Sequence, residues 1–150
     1  MEAEDYEDIL YEEKDHVATI SINRPDRMNA YREQTYFEVI DALQRAGWDP
    51  DSGDKKSERA RRGTIGVPIE EVHALIRDVP KPVIAKVNGY AIGGGNVIAT
   101  MCDLTIASEN SQFGQVGPKV GSVDPGFGTA YLAQVVGEKK AREMWYLCRR

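Results

Sequence analysis

Apolar and polar positions alternate over residues 17–23, with Ala18, Ile20 and Ile22 set against Val17, Thr19 and Ser21. Residues 9–13 precede them across the polar pair Lys14-Asp15. This pattern predicts a β-hairpin. Arg24-Pro25-Asp26-Arg27-Met28-Asn29 is turn material. After it Tyr36, Val39, Ile40 and Leu43 recur at helical spacing as far as Gly47, which predicts an amphipathic helix over 31–46. No period is visible across 47–66, an irregular stretch longer than compact domains usually contain. Pro68 suits a first helical turn, and Ile69, Val72, Leu75 and Ile76 form a short apolar stripe closed by Pro80 and Pro82. On this reading His73 falls on the polar side of the second helix.

Residues 83–87 are nearly continuously apolar between Pro82 and Gly89, as in a strand buried on both faces. Gly93 to Met101 reads as a helix, with Val97, Ile98 and Met101 apolar, and 104–107 returns to strand character. Strand, glycine-rich turn, helix and strand in that order make a βαβ unit. Residues 113–128 are rich in glycine and proline and read as a rigid loop. Two further helices, over 127–136 and 138–147, are separated by Gly137.

The chain has 150 residues, 41% of them hydrophobic, enough for about one domain. A formal net charge of −5 argues against nucleic acid as a partner. Lys55, Lys56, Arg59, Arg61 and Arg62 form a local basic run, but no aromatic residue interleaves with it, and a solvated loop is its expected role. Cys102 and Cys148 lack metal-ligand spacing. The N-terminus is acidic where a targeting peptide would be basic, and no apolar run has membrane-spanning length. These features predict a reduced, cytoplasmic setting with no metal and no membrane contact.

The candidate chemistry centres on Gly89-Tyr90-Ala91-Ile92-Gly93-Gly94-Gly95-Asn96. A dinucleotide fingerprint needs a third glycine that Ile98 does not supply, and a phosphate-binding P-loop needs a Lys where Asn96 stands. Glycines at a strand-to-helix turn also leave backbone N–H groups free at the positive end of the helix, where they can bind an oxygen that gains negative charge. Close helix–strand packing demands glycine too, and spacing alone leaves these two readings level. In the second glycine-rich stretch Asp124 precedes Pro125-Gly126 and a helical run, so local sequence favours a helix cap, and Ser122 suits a turn. No Ser-His-Asp order, His-Glu-x-x-His pattern or nucleophile elbow is present. Trp145 and Tyr146 read as core or interface.

Asn23-Arg24-Pro25 with Asn29-Ala30, Lys81-Pro82-Val83-Ile84-Ala85 leading into 88–95, Cys102-Asp103-Leu104, and Phe113-Gly114-Gln115 stand in this order. Together they resemble the crotonase (enoyl-CoA hydratase/isomerase) superfamily over nearly the whole chain except 49–62. The resemblance implies an α/β fold with a crotonase-like ββα spiral core, incomplete here, so that residues 1–150 make one partial acyl-CoA domain. It implies an acyl-CoA thioester as substrate, whose oxygen is held as an enolate between two backbone N–H groups, one of them from Gly94. Arg27, Met28 and Ala30 would line the CoA nucleotide, with Ala30 meeting the adenine through its backbone. A homotrimer or hexamer is implied where the family's C-terminal part is present.

The departures narrow the reaction. Hydratases carry glutamates where this chain has Val97 and Gly117, so simple hydration is disfavoured. Residues 114–119, 121–124 and 137–143 are instead similar to two subfamilies. One is 2-ketocyclohexanecarboxyl-CoA hydrolase, which opens a cyclic β-keto thioester to pimeloyl-CoA. The other is 1,4-dihydroxy-2-naphthoyl-CoA synthase, which performs an intramolecular Claisen condensation. Residues 63–73 and 121–126 stand nearer the hydrolase. The resemblance then makes Asp124 the proton-transfer group and Ser122 its positioning partner; in related synthases the space at Gly117 holds bicarbonate, with Gln115 nearby. Lys55 to Arg62 does not match the strand and Gly-Gly-Asp loop that supplies the second oxyanion donor, and the family continues past Arg150. A catalytically inactive, internally deleted fragment is therefore the competing expectation.

Overall fold

The computed structural model describes residues 5–48, 68–122, 124 and 127–150, which group into two compact units, Met1–Lys81 and Pro82–Arg150. The irregular stretch expected at 47–66 lies outside the described residues apart from Gly47 and Trp48, as does the basic run within it.

In the first unit, β1 (Ile9–Lys14) and β2 (Val17–Ile22) pair antiparallel with Lys14 opposite Val17 and Ile9 opposite Ile22. The turn is Asp15-His16, one residue later than the alternation predicts. Both residues have positive φ, 51° and 62°, which a two-residue turn matched to the twist of the strands requires. α1 (Glu33–Gly47) begins two residues after the predicted start, because Arg32 is extended and its N–H donates to the Thr35 hydroxyl. α1 ends against Val79, whose Cγ2 would lie 3.0 Å from a Cβ on Gly47, and Lys81 Nζ donates to the Ala46 carbonyl at 2.6 Å. α2 (Ile69–Asp78) buries Ile69, Val72, His73 and Ile76 and packs on α1. His73 is therefore core and does not lie on a polar face: positions 69, 72, 73 and 76 share one helical stripe, and a histidine within it is carried inward.

The hairpin is joined to α1 through buried charge. Asp8 is 3% exposed; it receives Arg32 Nε at 2.8 Å, Arg32 Nη2 at 2.9 Å and the Thr35 hydroxyl at 2.6 Å, and it pairs with Arg24 Nε at 3.2 Å. Glu38, with no exposed surface, accepts the N–H groups of Glu7 at 2.9 Å and Asp8 at 2.8 Å and the Gln34 amide at 2.8 Å. Two carboxylates thus lie inside, each saturated with donors, which is the condition for burying them.

In the second unit, β3 (Ile84–Val87) pairs parallel with β5 (Leu104–Ala107), and β4 (Tyr90–Ile92) pairs parallel with β6 (Gln112–Gly114). Both strand pairs turn one corner together. Gly89, at φ 121°, lets the chain bend, and its N–H donates to Ser111 Oγ, which in turn donates to the Val87 carbonyl at 3.0 Å. α3 (Gly94–Met101) connects β4 to β5, so the predicted βαβ unit is present with an additional strand inside the glycine-rich turn. β3 is not buried on both faces. α3 packs on one side, and on the other Ile84, Leu104 and Ile106 are 50%, 60% and 62% exposed. α4 (Gly128–Val136) and α5 (Glu138–Leu147) follow, split at Gly137 (φ 82°), around a core of Leu132, Ala141 and Met144 against Phe113 and Trp145. No described helix is long and apolar enough to cross a membrane.

Arg32 beside Asp8 holds that carboxyl below the usual carboxylate range, assisted by Thr35 and Arg24 and opposed by burial. A depressed folded value means stability that is present at neutral pH and is lost as pH falls below the ordinary carboxylate range and through the folded value. Asp8→Asn is expected to lower unfolding stability by about 2 kcal/mol at neutral pH; half-exposed Arg32 keeps the figure below that of a fully buried pair. Urea titrations at stepped pH check both points: the difference between wild type and variant should shrink towards acid.

Candidate functional site

The β4/β6 ladder ends where the Gly93 N–H donates to the Gly114 carbonyl at 2.9 Å. Gly93 then takes φ 58° and ψ −119°, a conformation essentially restricted to glycine, and turns the chain into α3. The first intrahelical bond runs from the Val97 N–H to the Gly93 carbonyl at 3.0 Å. The N–H groups of Gly94, Gly95 and Asn96 therefore stand outside the helical ladder, at its positive end. A Cβ on Gly93 or Gly95 would meet nothing within 4 Å among the described residues. At these two positions conformation and open approach, rather than close packing, account for the glycine.

The chain after β6 starts beside this turn. Gln115 follows Gly114 directly and is 2% exposed, and its Nε2 has no hydrogen-bond partner among the described residues. Gly117 opens a 3-10 turn (Gly117–Val120) where a continuous loop is expected; it accepts the Ser122 N–H at 2.9 Å. A Cβ on Gly117 would lie 3.0 Å from the Ser122 carbonyl oxygen and 3.6 Å from the Trp145 ring. Trp145 packs on the core as expected, yet its Nε1 is buried with no partner among the described residues, as is Asn96 Nδ2 in the first turn of α3. All three of these unmatched groups are donors. Their surroundings suit an acceptor or an anion. Nothing in local sequence marks Trp145 or Asn96 for this, because it depends on neighbours brought in by the fold.

Asp124 Oδ2 accepts the Thr129 N–H at 2.7 Å, so the capping role favoured by local sequence is observed, from a residue lying ahead of the α4 N-terminus. The same oxygen would lie 2.9 Å from a Cβ on Gly128, and Val97 Cγ2 only 2.5 Å from it. The carboxylate of Asp124 thus sits close to the side chain of Val97. Gly94, Gln115, Gly117, Ser122 and Asp124 all belong to the second unit: Gly94 and Gln115 follow the ends of β4 and β6, Ser122 is bonded to Gly117, and Asp124 lies ahead of the α4 N-terminus near Val97 of α3. Metal-ligating groupings of His, Cys, Asp and Glu are absent among the described residues.

The CoA-nucleotide candidates lie in the first unit. Arg27 closes a 3-10 turn (Pro25–Arg27), and Met28 and Asn29 both take left-handed conformations, φ 51° and 57°. Met28 is 94% exposed. The Ala30 N–H donates to the Arg27 carbonyl at 3.0 Å, and the Ala30 carbonyl accepts from the Arg24 guanidinium.

The enoyl-CoA hydratase/isomerase family model matches residues 46–150, and the chain belongs to that family. It is similar to the solved structure of Pseudomonas aeruginosa DspI, with 26% identity and a TM-score of 0.80 over 95% of this chain and 66% of that one. It is also similar to enoyl-CoA hydratase subunit I from Geobacillus kaustophilus, with 27% identity and a TM-score of 0.78 over 97% of this chain and 63% of the other. The enoyl-CoA hydratase from Mycobacterium avium subsp. paratuberculosis matches at 26% identity and a TM-score of 0.76, over 94% of this chain and 61% of its own. The chain spans less than two thirds of the length of these relatives. Its mixed helix–strand fold is a partial crotonase-type domain.

The α3–α4 crossing gives a direct test of the packing around Asp124. Gly128→Ala places a methyl against Val97 and is expected to cost about 1–3 kcal/mol. Combining it with Val97→Ala should recover much of that loss, and chemical denaturation of the single and double variants measures the coupling.

Proposed function

We propose that the chain is an acyl-CoA enzyme that forms a thioester enolate at the start of α3, and that its reaction is hydrolytic ring opening of 2-ketocyclohexanecarboxyl-CoA to pimeloyl-CoA. The observation that carries this reading is the Asp124 carboxylate beside the Val97 side chain of α3, while Val97 and Gly117 themselves carry no carboxylate. A hydratase needs its acid and base at those two positions; a single carboxylate with donors for an oxyanion suits cleavage of a carbon–carbon bond next to a thioester.

In the proposed step Asp124 removes a proton from water as the oxygen adds to the ring ketone. The bond between that carbon and the thioester α-carbon then breaks. Its electron pair becomes the enolate, whose oxygen accepts from the Gly94 N–H, and Asp124 returns the proton to the α-carbon. Water and the cyclic substrate are consumed and an open-chain ω-carboxyacyl-CoA is released, so atoms and charge balance. Ser122 orients Asp124 or the water. Arg27, Met28 and Ala30 receive the CoA nucleotide. Catalysis on this reading is preferential binding of the enolate.

The second reading is 1,4-dihydroxy-2-naphthoyl-CoA synthase activity, which passes through the same kind of enolate in the bond-forming direction. The buried, unmatched Nε2 of Gln115, two residues ahead of Gly117 in the chain, favours it, since such a donor suits a bicarbonate ion acting as an external base. Incubation with each acyl-CoA, followed by mass spectrometry, separates the readings: pimeloyl-CoA from the cyclic ketone supports the hydrolase and a naphthoyl product the synthase. Turnover of neither by folded protein refutes both and leaves an inactive fragment. Asp124→Asn keeps an oxygen for the Thr129 N–H, so folding should be unchanged while turnover falls by about 100-fold or more; retained turnover removes Asp124 from its role.

A further inference from the structure

Within the first unit one side chain connects the buried carboxylate to the proposed nucleotide loop. Arg24 Nε pairs with Asp8 Oδ1 at 3.2 Å, and Arg24 Nη1 donates to the Ala30 carbonyl. Its backbone closes the same loop: the Arg24 N–H donates to Asn29 Oδ1 at 2.7 Å, and the Arg24 carbonyl accepts the N–H groups of Arg27 at 3.0 Å and Asn29 at 2.9 Å. The loop needs such restraint. Met28 and Asn29 are consecutive non-glycine residues at positive φ, each disfavoured locally, and Met28 exposes nearly all of its apolar side chain instead of anchoring the loop in the core.

We propose that Arg24 is a positioning residue for the nucleotide end of the acyl-CoA: it holds the 24–30 loop in its binding shape by joining the Ala30 carbonyl to the buried Asp8 carboxylate. The proposal rests on the acyl-CoA reading above. Asp8 is held by the bidentate Arg32 contact and by its own N–H bound to Glu38, so the Arg24 guanidinium has a rigid base from which to reach the loop. A guanidinium reaches two separated acceptors from different nitrogens, whereas an ammonium presents its three donors from a single atom on a shorter stem. The bond from Nη1 leaves a second lone pair on the Ala30 oxygen for a ligand donor. The exposed Met28 side chain, two residues earlier in the loop, supplies a flexible, polarisable apolar surface.

Arg24→Lys keeps the charge at Asp8 and releases the Ala30 carbonyl. In the unliganded protein the amides of residues 28–30 should exchange with solvent about tenfold faster, and coenzyme A should bind about tenfold more weakly by calorimetry. Thr35→Val removes a different partner of the same carboxylate without touching the loop; it should lower thermal stability while leaving loop exchange and coenzyme A affinity within about twofold of wild type. Unchanged exchange or affinity in Arg24→Lys, with wild-type binding intact, overturns the positioning role. Equal weakening of binding by Thr35→Val overturns it as well, since the effect would then be general loosening. Failure of the wild type to bind coenzyme A instead refutes the acyl-CoA reading, while the exchange data still report whether Arg24 holds the loop.

Discussion

The hydrogen bond from the Gly93 N–H to the Gly114 carbonyl is the last rung of a parallel ladder and the first fixed point of the candidate site. Beyond it both strands diverge. One enters α3 through a backbone conformation that only glycine adopts cheaply, and the other runs into Gln115 and the turn that begins at Gly117. The helix N-terminus and the donor-rich stretch are thereby registered to each other through the sheet. An oxygen bound at such a place meets donors already in position, with little reorganisation left for the moment of reaction.

The first unit uses a different kind of constraint. Its hairpin packs on α1 through two buried carboxylates as well as through Ile9, Val39 and Leu43. Apolar contacts are tolerant of small slips, whereas the hydrogen bonds that Asp8 accepts are directional. Saturated buried charge therefore contributes more to defining the arrangement than to net stability. The cost of desolvating both carboxylates is offset by donors from the backbone, two arginines, a threonine and a glutamine.

Much of this fold was legible in the chain. The hairpin, the five α-helices among the described residues and the βαβ order follow from periods of two and 3.6 and from proline and glycine punctuation. What escaped is what depends on partners remote in sequence. β4 and β6 are three residues each, too short to show a period, and exist because they pair with one another. His73 and Glu38 look like surface residues until the packing of α1 against α2 and the hairpin is known. The glycine triplet was readable as a turn with two open uses; only the backbone angles and the free space around Gly93 and Gly95 separate them. Asp124 had its capping role written locally, but its closeness to Val97 is a property of the α3–α4 crossing.

The tight fit at Gly117 has an evolutionary consequence. A side chain of any size at 117 must displace the Ser122 backbone and press towards the Trp145 ring. The backbone itself holds this position as glycine: any side chain here requires the turn at 117–122 to be remade at the same time, so residue 117 can change only together with its neighbours.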